Sequence, residues 1–243
     1  MKKTNFIKEM TWKEFDERRK ETKTLIVPSG AIEVYGPHMP LGTDIIVANK
    51  LSDLIAEKVD ALVAPCLEVG QSSNLFGFPG TVYCKPENIK EVYRDICESY
   101  IKWGFKEFFI LNTHLHNTAP LNSLMEELEN EYDVKCGLVG WWQYIWKFEG
   151  IFESEAPHGH ASESGTSVML YLHPELVDME KAVNSPSLYK DEYPSIQKYK
   201  KYDEYSVTGT MGDATIATAE KGKIVVEKGI EEISNFINNY LRK

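Results

Sequence analysis

The stretch TLIVPSGAIEVYGPHMPLGTD, residues 24–44, decides how the rest of the chain is read. Leu25 to Val27 form a short apolar run, and a loop punctuated by Pro37, Pro40 and Gly42 follows before a helical pattern starts at Ile45. This strand-loop-helix step is the repeating unit of a parallel α/β sheet, and such sheets build their sites where strands end. The loop carries Glu33, Tyr35, His38 and Asp44. In extended backbone, residues i and i+2 share a face, so Glu33 and Tyr35 are expected at one spot, with the Pro and Gly bends returning Asp44 toward it. The loop reads as half of a metal site.

The same alternation continues on both sides. Residues 11–20 place Trp12, Phe15 and Arg19 at helical spacing behind Thr11, a plausible cap. Ile45 to Val59 predicts an amphipathic helix, Ala61 to Cys66 a strand, and LEVGQSSNLFGFPGT a long loop that walls the site. A helix from Pro86 to about Trp103 leads to the FFIL strand, Lys106 to Leu111, which delivers Asn112 to Asn117 at its end. The spacing then predicts a helix over 120–131, a strand over 135–140 ahead of WWQYIW, and a helix from about Gly165 to Leu172. Asn184 to Tyr205 is polar and Tyr-rich and reads as a surface excursion. Gly229 to Leu241 closes the chain as an amphipathic helix.

Composition bounds the function. With 243 residues and 42% hydrophobic content, a single α/β domain over 1–243 is expected. A net charge of -10 argues against nucleic acid or an anionic membrane as partner, since both need a basic face, and favours an acidic enzyme acting on a small-molecule substrate. Cys66, Cys84, Cys97 and Cys136 are widely spaced with no CxxC, so reduced thiols are expected. MKKTNFIKEM lacks a signal-peptide core and no run is long enough to span a membrane, which points to the cytoplasm.

Five of the six histidines fall in three loops: His38, the pair His114 and His116, and the pair His158 and His160. Each pair is spaced i, i+2 and can present both rings to one side. Imidazoles grouped with Glu33 and Asp44 suit zinc, manganese or iron better than magnesium or calcium. Taken singly, His38 and His158 read as hydrogen-bonding residues. His114 and His116, directly after a strand, read as ligands, and His173 as a helix-end residue.

PSGAIEVYGPHMPLGTD, FGFPGT, LNTHLHN, HGHASESGTS and GTMGDATIATAEKG occur in that order within residues 25–222, and together they resemble the segments of the creatininase (creatinine amidohydrolase) family. The resemblance implies an α/β/α domain with a mainly parallel sheet, cyclic-amide or linear-amide hydrolysis, a two-metal centre, and oligomers that are commonly hexamers. Carried over, Glu33, Asp44 and His114 match one complete metal site with Asp44 in the bridging position. The second site is altered: Tyr35 stands where the family has a histidine, and His116 where creatininase proper has a glutamate. Leu75 and Gly165 replace a histidine and a glutamate that many relatives carry.

The roles that follow are these. A metal held by the centre activates water against an amide carbonyl. His160 matches the family's catalytic histidine and carries a proton to the leaving nitrogen, with Glu163 as a second catalytic candidate or else a helix N-terminal charge. Ser72, Ser73 and Asn74 are candidate substrate contacts that can equally cap turns. Trp142, with Trp141 and Trp146, walls the pocket or packs in a core or interface. One or two divalent ions per chain are expected. Two ions require Tyr35 to bind as tyrosinate beside His116, and one ion leaves Tyr35 as a hydrogen-bonding neighbour. The altered residues also support a second reading, a family member that binds metal or metabolite without turnover. The aromatic content after Gly140 and from Leu188 to Tyr205 predicts a homo-oligomer.

Overall fold

A computed structural model describes residues 4–188 and 199–243 of the chain. Strand β1, Thr24–Ser29, is buried at every position, as its apolar run requires. It pairs in parallel with β2, Leu62–Val63, on one side and with β3, Glu107–Asn112, on the other; β3 in turn pairs in parallel with β4, Lys135–Gly140. The order is therefore β2-β1-β3-β4. Register aligns Ser29 with Asn112 and Asn112 with Gly140, so three strands end at one level and their loops open side by side.

Pro28 lies inside β1, where a missing N–H would normally break a ladder. It faces the side on which β2 has already ended: the Ile26 carbonyl still accepts from Ala64 N–H, whereas the Pro28 carbonyl accepts from the Tyr93 hydroxyl at 2.9 Å. The proline costs no sheet bond. The strand expected over 61–66 shrinks to two residues for the same reason, since Pro65 follows closely.

Helices cover both faces. On one side lie α1, Trp12–Glu21, α3, Pro86–Lys102, and α4, Thr118–Glu131, with Phe15, Ile89, Tyr93, Leu121 and Leu124 packed on Leu25, Val27 and Ile110. Thr11 closes a reciprocal capping box with Glu14 at the start of α1. On the other side lie α2, Thr43–Val59, α6, Glu163–Leu172, and α7, Ala219–Phe236, with Val47, Leu51, Val168 and Val225 on Ile26 and Phe109. A short α5, Trp141–Tyr144, follows β4 directly, and β5, Asn184–Ser185, with β6, Gly212–Asp213, forms a small antiparallel pair. The architecture is the three-layer α/β/α arrangement with a parallel sheet that the alternation predicts.

The last helix starts ten residues earlier than Gly229, at Ala219, with Thr218 as its cap, and runs through a π turn to Leu241. Gly222 and Gly229 look like breaks in the sequence, but they are contact points. A Cβ on Gly222 would lie 1.9 Å from the Ser167 carbonyl oxygen of α6, and one on Gly229 would lie 2.7 Å from the Trp141 ring. Close approach, not flexibility, selects glycine there. Of the expected surface excursion, residues 189–198 lie outside the described residues. All four cysteines are free thiols, and among the described residues no helix is long and apolar enough to cross a membrane.

Candidate metal centre

Gly30 sets the geometry of the site. A Cβ on it would stand 2.8 Å from Ile45 N and 2.9 Å from the Asp44 carbonyl carbon, so only glycine lets the first turn of α2 dock on the end of β1. Asp44 is thereby delivered beside Glu33, and Thr113 locks the arrangement, its backbone N–H donating to the Ser29 carbonyl and its hydroxyl to the Asp44 carbonyl, both at 2.8 Å. The end of β3 supplies His114. Glu33, Asp44 and His114 are all buried, and one ligand atom from each lies within 4.8 Å of the others.

Hydrogen bonds around this group decide which atoms are free to ligate. His114 Nε2 lies 3.0 Å from the Gln71 carbonyl, an acceptor only, so Nε2 keeps its proton and Nδ1 is the atom left to ligate. That Nδ1 faces Glu33 Oε2 at 3.2 Å and Asp44 Oδ2 at 3.3 Å. Ser72 donates to Glu33 Oε2 at 2.7 Å, and the Trp142 indole N–H donates to Asp44 Oδ1 at 2.9 Å. Asp44 Oδ2 is buried and, among the described residues, has no hydrogen-bond partner. A buried carboxylate oxygen, an imidazole Nδ1 and a second carboxylate, each oriented from behind, make a donor set that suits a divalent transition metal.

The electrostatics agree. Burial alone would depress His114, yet Glu33 and Asp44 outweigh it and push the imidazole well above its ordinary range. Burial raises Asp44, with the Glu33 charge adding to it, while at Glu33 the His114 and His160 rings and the Ser72 hydroxyl overcome burial and hold it low. The site therefore calls for positive charge between the carboxylates, and a metal ion answers that demand while releasing a proton. Trp142→Phe removes the indole donor from Asp44 and should weaken metal binding by roughly 10- to 100-fold with the fold intact, measured by competition against a chelating dye.

Above the group lies a cavity of about 410 Å³ whose lining includes Glu33, Tyr35, Asp44, Asn74, Trp142, Trp146, His158, His160 and Tyr202. His160 Nε2 donates to the Val34 carbonyl at 2.7 Å, which leaves Nδ1 as its unprotonated atom, 4.0 Å from Glu33 Oε1. Ala161, next in the chain, is held at φ 50°, a strained conformation for a residue with a Cβ, and Met211 N–H ties the His160 carbonyl at 2.8 Å. His160 is thus fixed at both ends.

The other candidate residues divide by position. Tyr35 is buried against Trp142 and His160; burial first, then the Asp44 and Glu33 charges, push its phenol well up. His116 is exposed at the rim, its ring 5.6 Å edge-on from His114. Asn74 lines the cavity, Ser72 stands behind Glu33, and Ser73 opens onto a neighbouring depression. Trp142 and Trp146 line the cavity, whereas Trp141 is wholly buried in the core. A Cβ on Gly165 would lie 3.7 Å from Tyr35 Cε1, so the missing side chain leaves room that the tyrosine ring faces. His38 is buried on Thr166 Oγ1 at 2.9 Å, and burial pushes it down to about 4, which makes it a neutral tie between the metal loop and α6.

Glu163 points elsewhere. Its solvent-inaccessible carboxylate accepts from the backbone N–H groups of Glu153 and Ser154 and from Lys221 Nζ at 2.7 Å. It clamps the loop that carries His158 and His160 to α7. Burial opposes ionisation, but Lys221 and the backbone donors outweigh it and hold Glu163 below the usual carboxylate range. A depressed carboxylate stabilises the fold above its unfolded pKa, and that contribution is lost as pH falls through the folded value. Lys221→Met should therefore cost roughly 3 kcal/mol at pH 7, the low end for breaking a buried pair. The penalty should be smaller at about pH 3 than at pH 7, because protonation of Glu163 removes the charge that Lys221 pairs. Urea denaturation of both proteins at the two pH values checks this.

Sequence reasoning missed Tyr202, Tyr205 and Met211 as site residues. The Tyr-rich composition signalled contact surface, and nothing local tied it to the strand ends.

A family model described as creatinine amidohydrolase matches residues 8–237. The creatinine amidohydrolase of Pseudomonas putida is 27% identical over 98% of this chain and 97% of its own length. A 3-dehydro-scyllo-inosose hydrolase of Thermotoga maritima is 26% identical over 98% of this chain and 82% of its own. A solved structure named "Creatininase Mn" superimposes with a TM-score of 0.84 at 25% identity, covering 99% of this chain and 100% of that one.

Proposed function

The chain belongs to the creatininase (creatinine amidohydrolase) family of hydrolases, and from that premise we propose that it hydrolyses a C–N bond of a small amide, cyclic amide or formamide at a divalent metal held by Glu33, Asp44 and His114. The observation that carries the reading is the arrangement around His114: its Nδ1, the ring atom left for a metal, meets two buried carboxylates, and Nδ1 of His160 faces the same Glu33 under one aromatic-walled cavity. When bound, zinc, manganese or iron supplies a Lewis acid for the carbonyl and lowers the pKa of water.

The residues of the chain do the remaining work. Amide hydrolysis adds a water oxygen to the carbonyl carbon and breaks C–N, and the leaving nitrogen departs with a proton. His160 Nδ1 takes the proton from water and returns it to that nitrogen; the Val34 carbonyl keeps Nε2 out of the exchange and the ring in place. Trp142 and Ser72 hold the metal carboxylates at fixed angles. Asn74, Trp142 and Trp146 form substrate walls, and Glu163 acts by fixing the His160 loop. Tyr35 and His116 flank the three-residue group as candidates for a second ion.

A panel of cyclic and linear amides given to protein loaded with zinc, manganese or iron tests the reading. Turnover of at least one amide, abolished by chelation and restored by the metal, is expected; no turnover of any panel member sinks it. The reading includes one domain over 1–243, a cytoplasmic location and a homo-oligomer, for which the exposed Trp146, Leu188 and Tyr199 supply apolar surface. Light scattering should return a mass at least twice 27.8 kDa, such as a hexamer, and a 27.8 kDa monomer at every concentration overturns the oligomer.

A further inference from the structure

Four buried polar atoms without a hydrogen-bond partner belong to residues that line this one cavity: Asp44 Oδ2, Asn74 Oδ1, His158 Nδ1 and the Tyr202 hydroxyl. Such atoms are rare inside folded chains, and several around one cavity are positions that a bound ion, water or ligand would satisfy. The metal answers Asp44. Of the others, the phenol brings an O–H to donate, whereas the Asn74 oxygen only accepts.

Tyr202 is built into its place. Its side chain is 5% exposed, and its backbone N–H donates to the Asn74 carbonyl at 2.7 Å, which joins the 202–205 segment to the long loop. Its ring packs on His160 at 5.2 Å and 65°, and the same imidazole packs on Tyr35 at 4.6 Å. The residue that moves the proton therefore lies in contact with a tyrosine whose hydroxyl has no hydrogen-bond partner among the described residues.

We propose that Tyr202 is a further catalytic residue, its O–H donating a hydrogen bond to the carbonyl oxygen of the substrate. The proposal rests on the amide-hydrolase reading above. The donation strengthens as that oxygen gains negative charge, so it favours the transition state over the bound substrate. Asn74 Oδ1 is the matching acceptor for the amide N–H.

The test is Tyr202→Phe in zinc-loaded protein, measured by turnover of the amide panel and by calorimetric binding of dimethylphosphinate, a tetrahedral anion. Removing one such donor should lower kcat roughly 100-fold with KM within about threefold. The phosphinate Kd should weaken about tenfold, with metal content unchanged. Because the variant also removes an unpaired buried hydroxyl, its thermal midpoint should be equal or higher, the opposite of what loss of a structural bond gives. An unchanged phosphinate affinity or an unchanged kcat overturns the proposal, as does a lowered midpoint with loss of metal. If the unsubstituted protein turns over no amide, the parent reading falls and the phosphinate comparison alone judges Tyr202: weaker binding by the variant supports the contact, and equal binding or none to either protein overturns it.

Discussion

His114→Ala should leave the protein folded but reduce its bound metal to background, with amide turnover falling roughly 1,000-fold or more. The estimate follows from losing a Lewis acid worth several kcal/mol at a tenfold rate change per 1.36 kcal/mol. The direction follows from geometry. His114 is the only nitrogen donor in the group of three, and its removal leaves Glu33 and Asp44 as two buried carboxylates facing each other without a cation. Their repulsion is relieved by a proton, so the variant should take up protons near neutral pH where the parent takes up metal. Atomic absorption on both proteins after identical loading checks the first outcome, and a pH titration checks the second.

Turnover in His160→Ala should fall by roughly 100- to 10,000-fold while metal content stays that of the parent, the range expected for loss of a positioned proton carrier. The two effects separate because His160 Nδ1 stands 4.0 Å from Glu33, outside the group that meets around His114. If metal is lost together with activity, His160 belongs to the coordination sphere and its assignment as proton carrier is wrong.

The parallel α/β layering and the metal group were legible because each depends on short-range pattern. Apolar runs end where Pro, Gly and ligand-type residues begin, and Glu33, Asp44 and His114 each sit within one loop or turn of a strand end. What escaped depends on contacts between distant segments. The start of α7 was hidden because Gly222 and Gly229 look like helix breakers until α6 and Trp141 are packed against them. Glu163 looks catalytic beside His160 until Lys221 is brought over from the start of α7. Neighbouring tryptophans diverge because α5 follows β4 directly, which turns Trp141 into the core and Trp142 onto Asp44. Tyr202 had no sequence signal as a site residue, because its unpaired hydroxyl exists only in three dimensions.

The Lys221 clamp also bears on the order in which a ribosome releases the chain. Every residue of the metal group, and the paired β1 and β3 that carry it, has been synthesised once His114 has emerged. The loop bearing His160 gains its ties only later, to Met211 and then, through Glu163, to Lys221 at the start of the final helix. A nascent chain thus holds the means to capture an ion well before it holds the means to use one. Metal acquisition can precede catalytic competence during biogenesis, and a chain that stalled between these two points would sequester metal without turning over substrate.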